Sequence, residues 1–135
     1  METLVPHTTL LWGGLLGLVM AFLAVRVTLR RRALMVSLGD GGDEELLGRI
    51  RAFGNYTEYV PMALVLMALV ELGGGAVWFL HLTGFLLFVA RLSHGLSLTA
   101  GKMSPRQRMG RQFGTGITFL IVVLWSVYAV ILGLF

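Results

Sequence analysis

The 135-residue sequence contains no cysteine and little charge, since Lys, Arg, Asp and Glu together make up only 13% of its residues. The absence of cysteine excludes disulfides, thiolate zinc sites and a nucleophilic thiol of the protein's own. Soluble domains carry about 25% charged residues, so the scarcity of charge excludes most soluble folds. Hydrophobic residues make up 56% of the chain and its mean hydropathy is +0.82, which is typical of an integral membrane protein.

Four apolar segments, separated by short polar or glycine-rich stretches, are long enough to cross a bilayer, because about 20 apolar residues in a helix span the hydrocarbon layer. Asp43 and the Ser104–Pro105 pair predict the starts of the second and fourth helices, because these residue types favour helix N-termini. Three glycines of the first helix predict close helix packing: Gly13, Gly14 and Gly17. The sequence therefore predicts one domain over residues 1–135, an all-α membrane four-helix bundle with helices at about 6–30, 44–72, 76–100 and 105–134.

The basic residues are concentrated at one end of this predicted bundle. Every Lys and Arg except Arg91 lies between Arg26 and Arg51 or between Lys102 and Arg111, and the net charge is +4. Loops rich in Lys and Arg stay in the cytoplasm. The sequence therefore predicts an integral multi-pass protein whose two termini lie on the non-cytoplasmic side.

A polar stripe interrupts the second helix. Arg51, Asn55 and Glu58 are spaced i, i+4 and i+7, which places them within about 60° of one another on one helix face. A charge deep in the bilayer costs about 2.5 to 3.5 kcal/mol, so we expect Glu58 to face the protein interior or a water-filled cavity. On the third helix, Arg91 and His94 share a face at a similar depth. A buried guanidinium at position 91 is expected to have a carboxylate or phosphate partner.

Three interpretations of these residues are open. They form a ligand site of an enzyme, or Arg51, Glu58 and Arg91 form an interhelical ion network in a non-catalytic assembly or lipid-binding protein. The third interpretation is a small transporter or a haem protein with His81 and His94 as axial ligands. These two histidines are about 20 Å apart along one helix, too far apart to bind the same haem.

The second helix also carries a family resemblance. The pattern Arg51-Ala52-x-x-Asn55-x-x-Glu58-Tyr59-x-Pro61 resembles the helix 2 signature of the MAPEG family, the membrane-associated proteins in eicosanoid and glutathione metabolism. The similarity extends to the four helices, the basic loops, Arg91 with His94, and Gly101-Lys102 leading through a proline to Arg108. Bacterial members share the run Glu58-Tyr59-Val60-Pro61, and a bacterial member would lie in the inner membrane.

The resemblance implies a homotrimer with a glutathione site between subunits, open towards the cytosol. It implies that Arg51 and Asn55 hold the backbone and carboxylates of glutathione and that Glu58 receives its amino group. Arg108, or Arg111 as the alternative, would stabilise the glutathione thiolate, because a nearby cation lowers a thiol pKa. The resemblance adds three further binding residues, which are Tyr59, Arg91 and His94.

The function implied is that of a glutathione-dependent transferase or peroxidase acting on lipophilic electrophiles from the bilayer. Glutathione enters as a co-substrate, and no metal and no nucleic acid are expected. The chain departs from the eicosanoid-type members at Leu98, where those have a tyrosine, which removes a hydroxyl from the pocket.

Overall fold

A computed structural model describes residues 5–98 and 103–135, which form four helices. The helices are α1 (His7–Leu34), α2 (Glu44–Leu72), α3 (Val77–Ser97) and α4 (Pro105–Leu134). All four are long and apolar enough to cross a membrane. The prediction of an all-α membrane four-helix bundle is therefore confirmed.

Two helices begin at the capping residues that the sequence indicates. The Asp43 side chain accepts a hydrogen bond from Leu46 N at 2.7 Å at the start of α2. Ser104 and Gln107 form a reciprocal capping box at the start of α4, where Pro105 takes the first helical position. Asp43 also accepts hydrogen bonds from Arg30. These bonds are the main reason why the pKa of Asp43 lies below its usual value. The connection between α1 and α2 is thus fixed by polar contacts.

Two helix ends differ from the sequence-based boundaries. α1 continues past residue 30 to Leu34, because no helix-breaking residue intervenes, and it ends where Met35 adopts a left-handed φ of 54°. α3 begins at Val77 and ends at Ser97. Its predicted end near residue 100 lies outside the described residues.

The helices pack around the diagonal pair α2 and α3. α1 contacts α2 and α3, α4 contacts the same two helices, and within residues 5–98 and 103–135 α1 and α4 do not touch. α3 and α4 approach each other closely at Gly114, where a Cβ would lie 2.6 Å from the carbonyl oxygen of Ala90. A Cβ at Gly14 or Gly17 would meet no atom within 4 Å. The close packing predicted at those two glycines is therefore wrong within a single chain.

Two buried polar side chains of the apolar core have partners on other helices. The Tyr56 hydroxyl donates to the Leu16 carbonyl oxygen at 2.6 Å, which joins α2 to α1. The Trp125 indole donates to the Thr83 hydroxyl at 3.0 Å, which joins α4 to α3. An unpaired buried polar group costs about 1 to 3 kcal/mol, so these hydrogen bonds help to fix how the helices pack.

Glu71, near the C-terminal end of α2, holds the first turn of α1. Its two carboxylate oxygens accept hydrogen bonds from the backbone N–H groups of Thr8 and Thr9, each at 2.7 Å. α1 has no capping side chain of its own at Pro6. A carboxylate at a helix N-terminus satisfies free N–H groups and interacts favourably with the helix dipole. Glu71 thus fixes this end of the bundle, opposite the basic residues.

Candidate functional site

A small polar pocket lies between α2, α3 and α4 at the basic end of the bundle. Its volume is about 200 Å³, and it is lined by Arg51, Asn55, His94, Leu98 and Arg111. Four of the residues singled out from the sequence are thus brought together by three helices. The fifth lining residue is Leu98, the position at which the resemblance drawn from the sequence implies the lack of a tyrosine hydroxyl.

A larger cavity lies beside this pocket along α4. Its volume is about 590 Å³, and its lining residues are Met103, Arg108, Arg111, Gln112, Thr115 and Gly116. Arg111 lines both cavities, whereas Arg108 lines only the larger one. Ligand sites usually measure about 300 to 1,000 Å³. The larger cavity falls within this range, and the smaller pocket is sized for one end of a ligand.

Arg91 lies inside the bundle and lines neither cavity. Its side chain is 1% exposed, and it donates to Asn55 Oδ1 at 2.8 Å and to the Thr118 hydroxyl at 3.4 Å. The guanidinium also lies over the Tyr56 ring, 5.3 Å from its centroid. The expectation of a carboxylate partner for Arg91 is wrong within the described residues, because its contacts there are an amide, a hydroxyl and an aromatic ring. A direct contact of Arg91 with ligand stays a prediction.

The contact with Arg91 fixes the orientation of the Asn55 amide. A guanidinium has only donors, so the oxygen of the amide must face Arg91 and the NH₂ group is left for the pocket. The two cations at the pocket, Arg51 and Arg111, also carry only donors, whereas the remaining polar lining residue, His94, has one acceptor nitrogen in its neutral form. A pocket lined by two cations and an amide NH₂ favours an anion, and a carboxylate fits the planar guanidinium geometry best.

The buried polar pair Arg91 and His94, of which His94 lines the pocket, is not fully satisfied by the described residues. His94 is 2% exposed, and its Nδ1 atom makes no hydrogen bond within the described residues. The same is true of Arg91 Nε. Buried polar atoms normally have partners, and a chemical role is one of the explanations for an exception. The pair is therefore a candidate for function rather than for stability alone.

Glu58 lies at the middle of α2 but faces outwards. Its side chain is exposed, and no hydrogen bond or ion pair to it is found in residues 5–98 and 103–135. The next residue, Tyr59, packs edge-on against Phe119 of α4, with the ring centroids 5.2 Å apart. The expectation that Glu58 faces the interior is therefore not met within one chain. Its proposed contact with a ligand stays a prediction.

The ion network left open by the sequence does not form within the described part of a single chain. The ion pairs of that part join Arg30 to Asp43 and Glu45, and Arg49 to Glu45. They fix the α1–α2 connection and involve none of Arg51, Glu58 and Arg91. These three residues are consequently free for a ligand or for another subunit, apart from the contacts of Arg91 with neutral groups.

Sequence reasoning missed the polar residues of α4 beyond Arg111. Gln112 and Thr115 line the larger cavity together with Arg108. The spacing of Arg108, Arg111 and Thr115 is i, i+3 and i+7, the same helical periodicity that marked α2. A polar stripe on α4 was therefore detectable from the sequence.

Comparison with known proteins agrees with this architecture. The MAPEG family matches residues 9–131. The inner membrane protein YecN of Escherichia coli strain K12 is 41% identical over 81 residues, which cover 60% of this chain and 60% of YecN. YecN of Escherichia coli O6:H1 strain CFT073 matches to the same extent. No solved structure matches the chain. Because the family match covers nearly the whole sequence, the chain belongs to the MAPEG family.

Proposed function

We propose that the protein is a glutathione-dependent membrane transferase or peroxidase, which uses glutathione as a thiolate against lipophilic electrophiles. The observation that carries this proposal is the cationic pocket in which Arg51, Asn55 and Arg111 offer hydrogen-bond donors, and which adjoins a larger cavity at Arg111. Glutathione has two carboxylates, one ammonium and one thiol. The small pocket suits one carboxylate, and the larger cavity has room for the rest of the ligand and its acceptor.

The chemistry requires a cation next to sulfur. A guanidinium beside the thiol lowers its pKa from about 8.5, so that the thiol proton passes to solvent and the thiolate is available as the nucleophile. In a transferase the thiolate forms a carbon–sulfur bond, and the leaving group departs with its electron pair. Arg111, at the junction of the two cavities, and Arg108, on the wall of the larger one, are the candidates for this role.

The exposed Glu58 supports assembly into the homotrimer expected for this family. A carboxylate facing lipid at the middle of a span is unfavourable by about 2.5 to 3.5 kcal/mol. Contact with another subunit removes it from lipid and brings it to a site between subunits. There it receives the ammonium of glutathione, a role that needs a carboxylate without a partner in its own chain.

We also propose the bacterial inner membrane as the location, since YecN is named an inner membrane protein. The arginines of the site share one end of the bundle with the basic stretches, which retain that end in the cytoplasm. Glutathione then enters from the cytosol, and both termini lie outside. Alkaline phosphatase fused after Phe135 should be active. An inactive phosphatase fusion, together with an active fusion of a reporter that functions only in the cytoplasm, would contradict this orientation.

The direct test is calorimetry of glutathione binding to the detergent-purified protein, with thiolate absorbance recorded during the titration. We expect binding accompanied by thiolate formation. Arg108→Ala should reduce thiolate formation while S-methylglutathione still binds, because Arg108 lies outside the small pocket. Arg111→Ala should reduce thiolate formation and also weaken the binding of S-methylglutathione, since Arg111 lines both cavities.

Arg106→Ala is the matched control, because Arg106 is an exposed arginine of the same helix that lines neither cavity. Absence of glutathione binding by the wild-type protein would overturn the proposed function. Full activity of both Arg108→Ala and Arg111→Ala, in a protein that turns over, would overturn the arginine-stabilised thiolate alone.

A further inference from the structure

A third pocket lies at the basic end of α1, separate from the candidate glutathione site. Its volume is about 440 Å³, and its lining residues are Thr28, Arg31, Arg32, Met35, Val36 and Ser37. The turn after α1 closes it, because Val36 N donates to the carbonyl oxygen of Arg31 at 3.0 Å. The Arg31 side chain in turn donates to the Ser37 carbonyl oxygen at 3.3 Å. The pocket is therefore built by one continuous segment of the chain.

The two arginines of this pocket carry positive charge that nearby acids do not neutralise. The preceding Arg30 is paired with Asp43 and Glu45. By contrast, Arg31 bonds only to a backbone carbonyl, and Arg32 has no hydrogen bond or ion pair within the described residues. Two guanidinium groups that line one pocket and have no acidic partner among the described residues favour a phosphate, whose oxygens accept charge-assisted hydrogen bonds.

Two exposed apolar side chains lie in the segment that forms this pocket or directly after it. Met35, which lines the pocket, is 92% exposed, and Leu38, the residue after the lining residue Ser37, is 88% exposed. The left-handed backbone at Met35 ends α1 at this point. Exposed apolar side chains beside cations are typical of a membrane interface, where the cations meet headgroups and the apolar groups enter the acyl region.

We propose that this pocket binds an anionic phospholipid, with its phosphate on Arg31 and Arg32 and its proximal acyl chain against Met35 and Leu38. A free phosphate would use the arginines but not the two apolar side chains. A zwitterionic lipid offers the same phosphate but also a cation, which two guanidinium groups repel. The site therefore discriminates by headgroup charge, and this inference is independent of the proposed glutathione chemistry.

The test is native mass spectrometry of the full-length protein in mild detergent, titrated with phosphatidylglycerol or phosphatidylcholine. We expect one phosphatidylglycerol retained per chain, with weaker retention of phosphatidylcholine. Arg32→Gln should weaken phosphatidylglycerol binding about tenfold or more, as expected for lost hydrogen bonds to a charged group. Arg106→Gln is the control, because Arg106 is also exposed but lies outside the pocket. It should weaken phosphatidylglycerol binding less than about twofold relative to the wild-type protein.

Leu38→Ser tests the acyl contact at a position that contributes little to folding. It should weaken binding of the long-chain lipid at least about threefold, because the polar serine no longer buries apolar surface against the acyl chain. Equal retention of the two lipids, or equal losses in Arg32→Gln and Arg106→Gln, would overturn the proposal. It would also be overturned if glycerol phosphate displaced the lipid at equal concentration, since the free headgroup would then suffice. Circular dichroism of each variant confirms that the helices are intact.

Discussion

At the scale of single residues, two glutamates of α2 show how position decides what a carboxylate does. Glu71 accepts three hydrogen bonds from Thr8 and Thr9, and these hold the start of α1. Glu58, on the same helix, makes none within the described residues and is exposed. The first carboxylate is therefore structural, whereas the second is available for a ligand.

Neutral substitutions at the two glutamates should separate these roles. Glu71→Gln should lower the free energy of unfolding by about 1 to 2 kcal/mol, because hydrogen bonds to a charged acceptor are weakened, and leave glutathione affinity unchanged. Glu58→Gln should leave the helical fold of the chain intact and reduce glutathione affinity at least about tenfold, or 1.4 kcal/mol. Thermal unfolding and calorimetry measure the two quantities. A large loss of stability in Glu58→Gln with unchanged affinity would favour an ion pair between subunits over a ligand contact.

Leu98 is the residue of the small pocket that offers no hydrogen bond to a polar ligand. It lies at the end of α3, and its side chain lines the pocket beside Arg51 and His94. Leu98→Tyr should increase glutathione affinity about threefold to tenfold, because a new hydroxyl contributes about 0.5 to 1.5 kcal/mol. Leu98→Phe is the control that adds the ring without the hydroxyl. If the phenylalanine variant gains as much affinity as the tyrosine variant in calorimetry, the hydroxyl is not the cause.

At the scale of helices, the contact of α3 with α4 sets the geometry of the site. α3 supplies His94 and α4 supplies Arg111, so their separation depends on how closely the two helices pack. Gly114 permits this approach, since a Cβ there would lie 2.6 Å from both the Ala90 carbonyl oxygen and His94 Cβ. The absence of a side chain at Gly114 therefore allows the helix packing that positions His94 and Arg111.

Adding a single methyl group at this contact should separate the helices. Gly114→Ala should destabilise the bundle by about 1 to 3 kcal/mol, because the backbone must shift to avoid overpacking. Gly116→Ala, two residues further along α4, should be neutral or slightly stabilising, since a Cβ there meets no atom within 4 Å and alanine favours helix. Thermal unfolding in detergent compares the two variants. Equal destabilisation of the two variants would contradict the assignment of the effect to the contact with α3 at Gly114.

At the scale of the whole molecule, the single chain leaves a charged group on its lipid-facing surface. The exposed Glu58 at the middle of α2 and the uncovered Gly14 and Gly17 of α1 are features that contact with another copy would explain. Small residues of this kind favour close helix approach in lipid. We therefore expect a trimer by native mass spectrometry in mild detergent, and a protein that is only monomeric or dimeric would contradict the site between subunits.

The sequence by itself determined the class of protein and the number of helices. Spans, helix starts and the membrane setting depend on composition and on residues within one or two turns, such as Asp43 with Leu46 or Ser104 with Gln107. The pattern of residues from Arg51 to Pro61 in α2 also indicated the family, which the comparison confirmed. These signals are local, so they can be read without the fold.

Only the tertiary structure decided which polar groups meet. Arg91 bonds to Asn55 across 36 positions of sequence, so helix periodicity could not show that its partner is a neutral amide. The same applies to Arg111, whose place between two cavities depends on the packing of three helices. The outward direction of Glu58 depends on which face of α2 the other helices cover. Each of these outcomes is set by contacts between distant residues, whereas the patterns in the sequence report only the face and depth of each residue on its own helix.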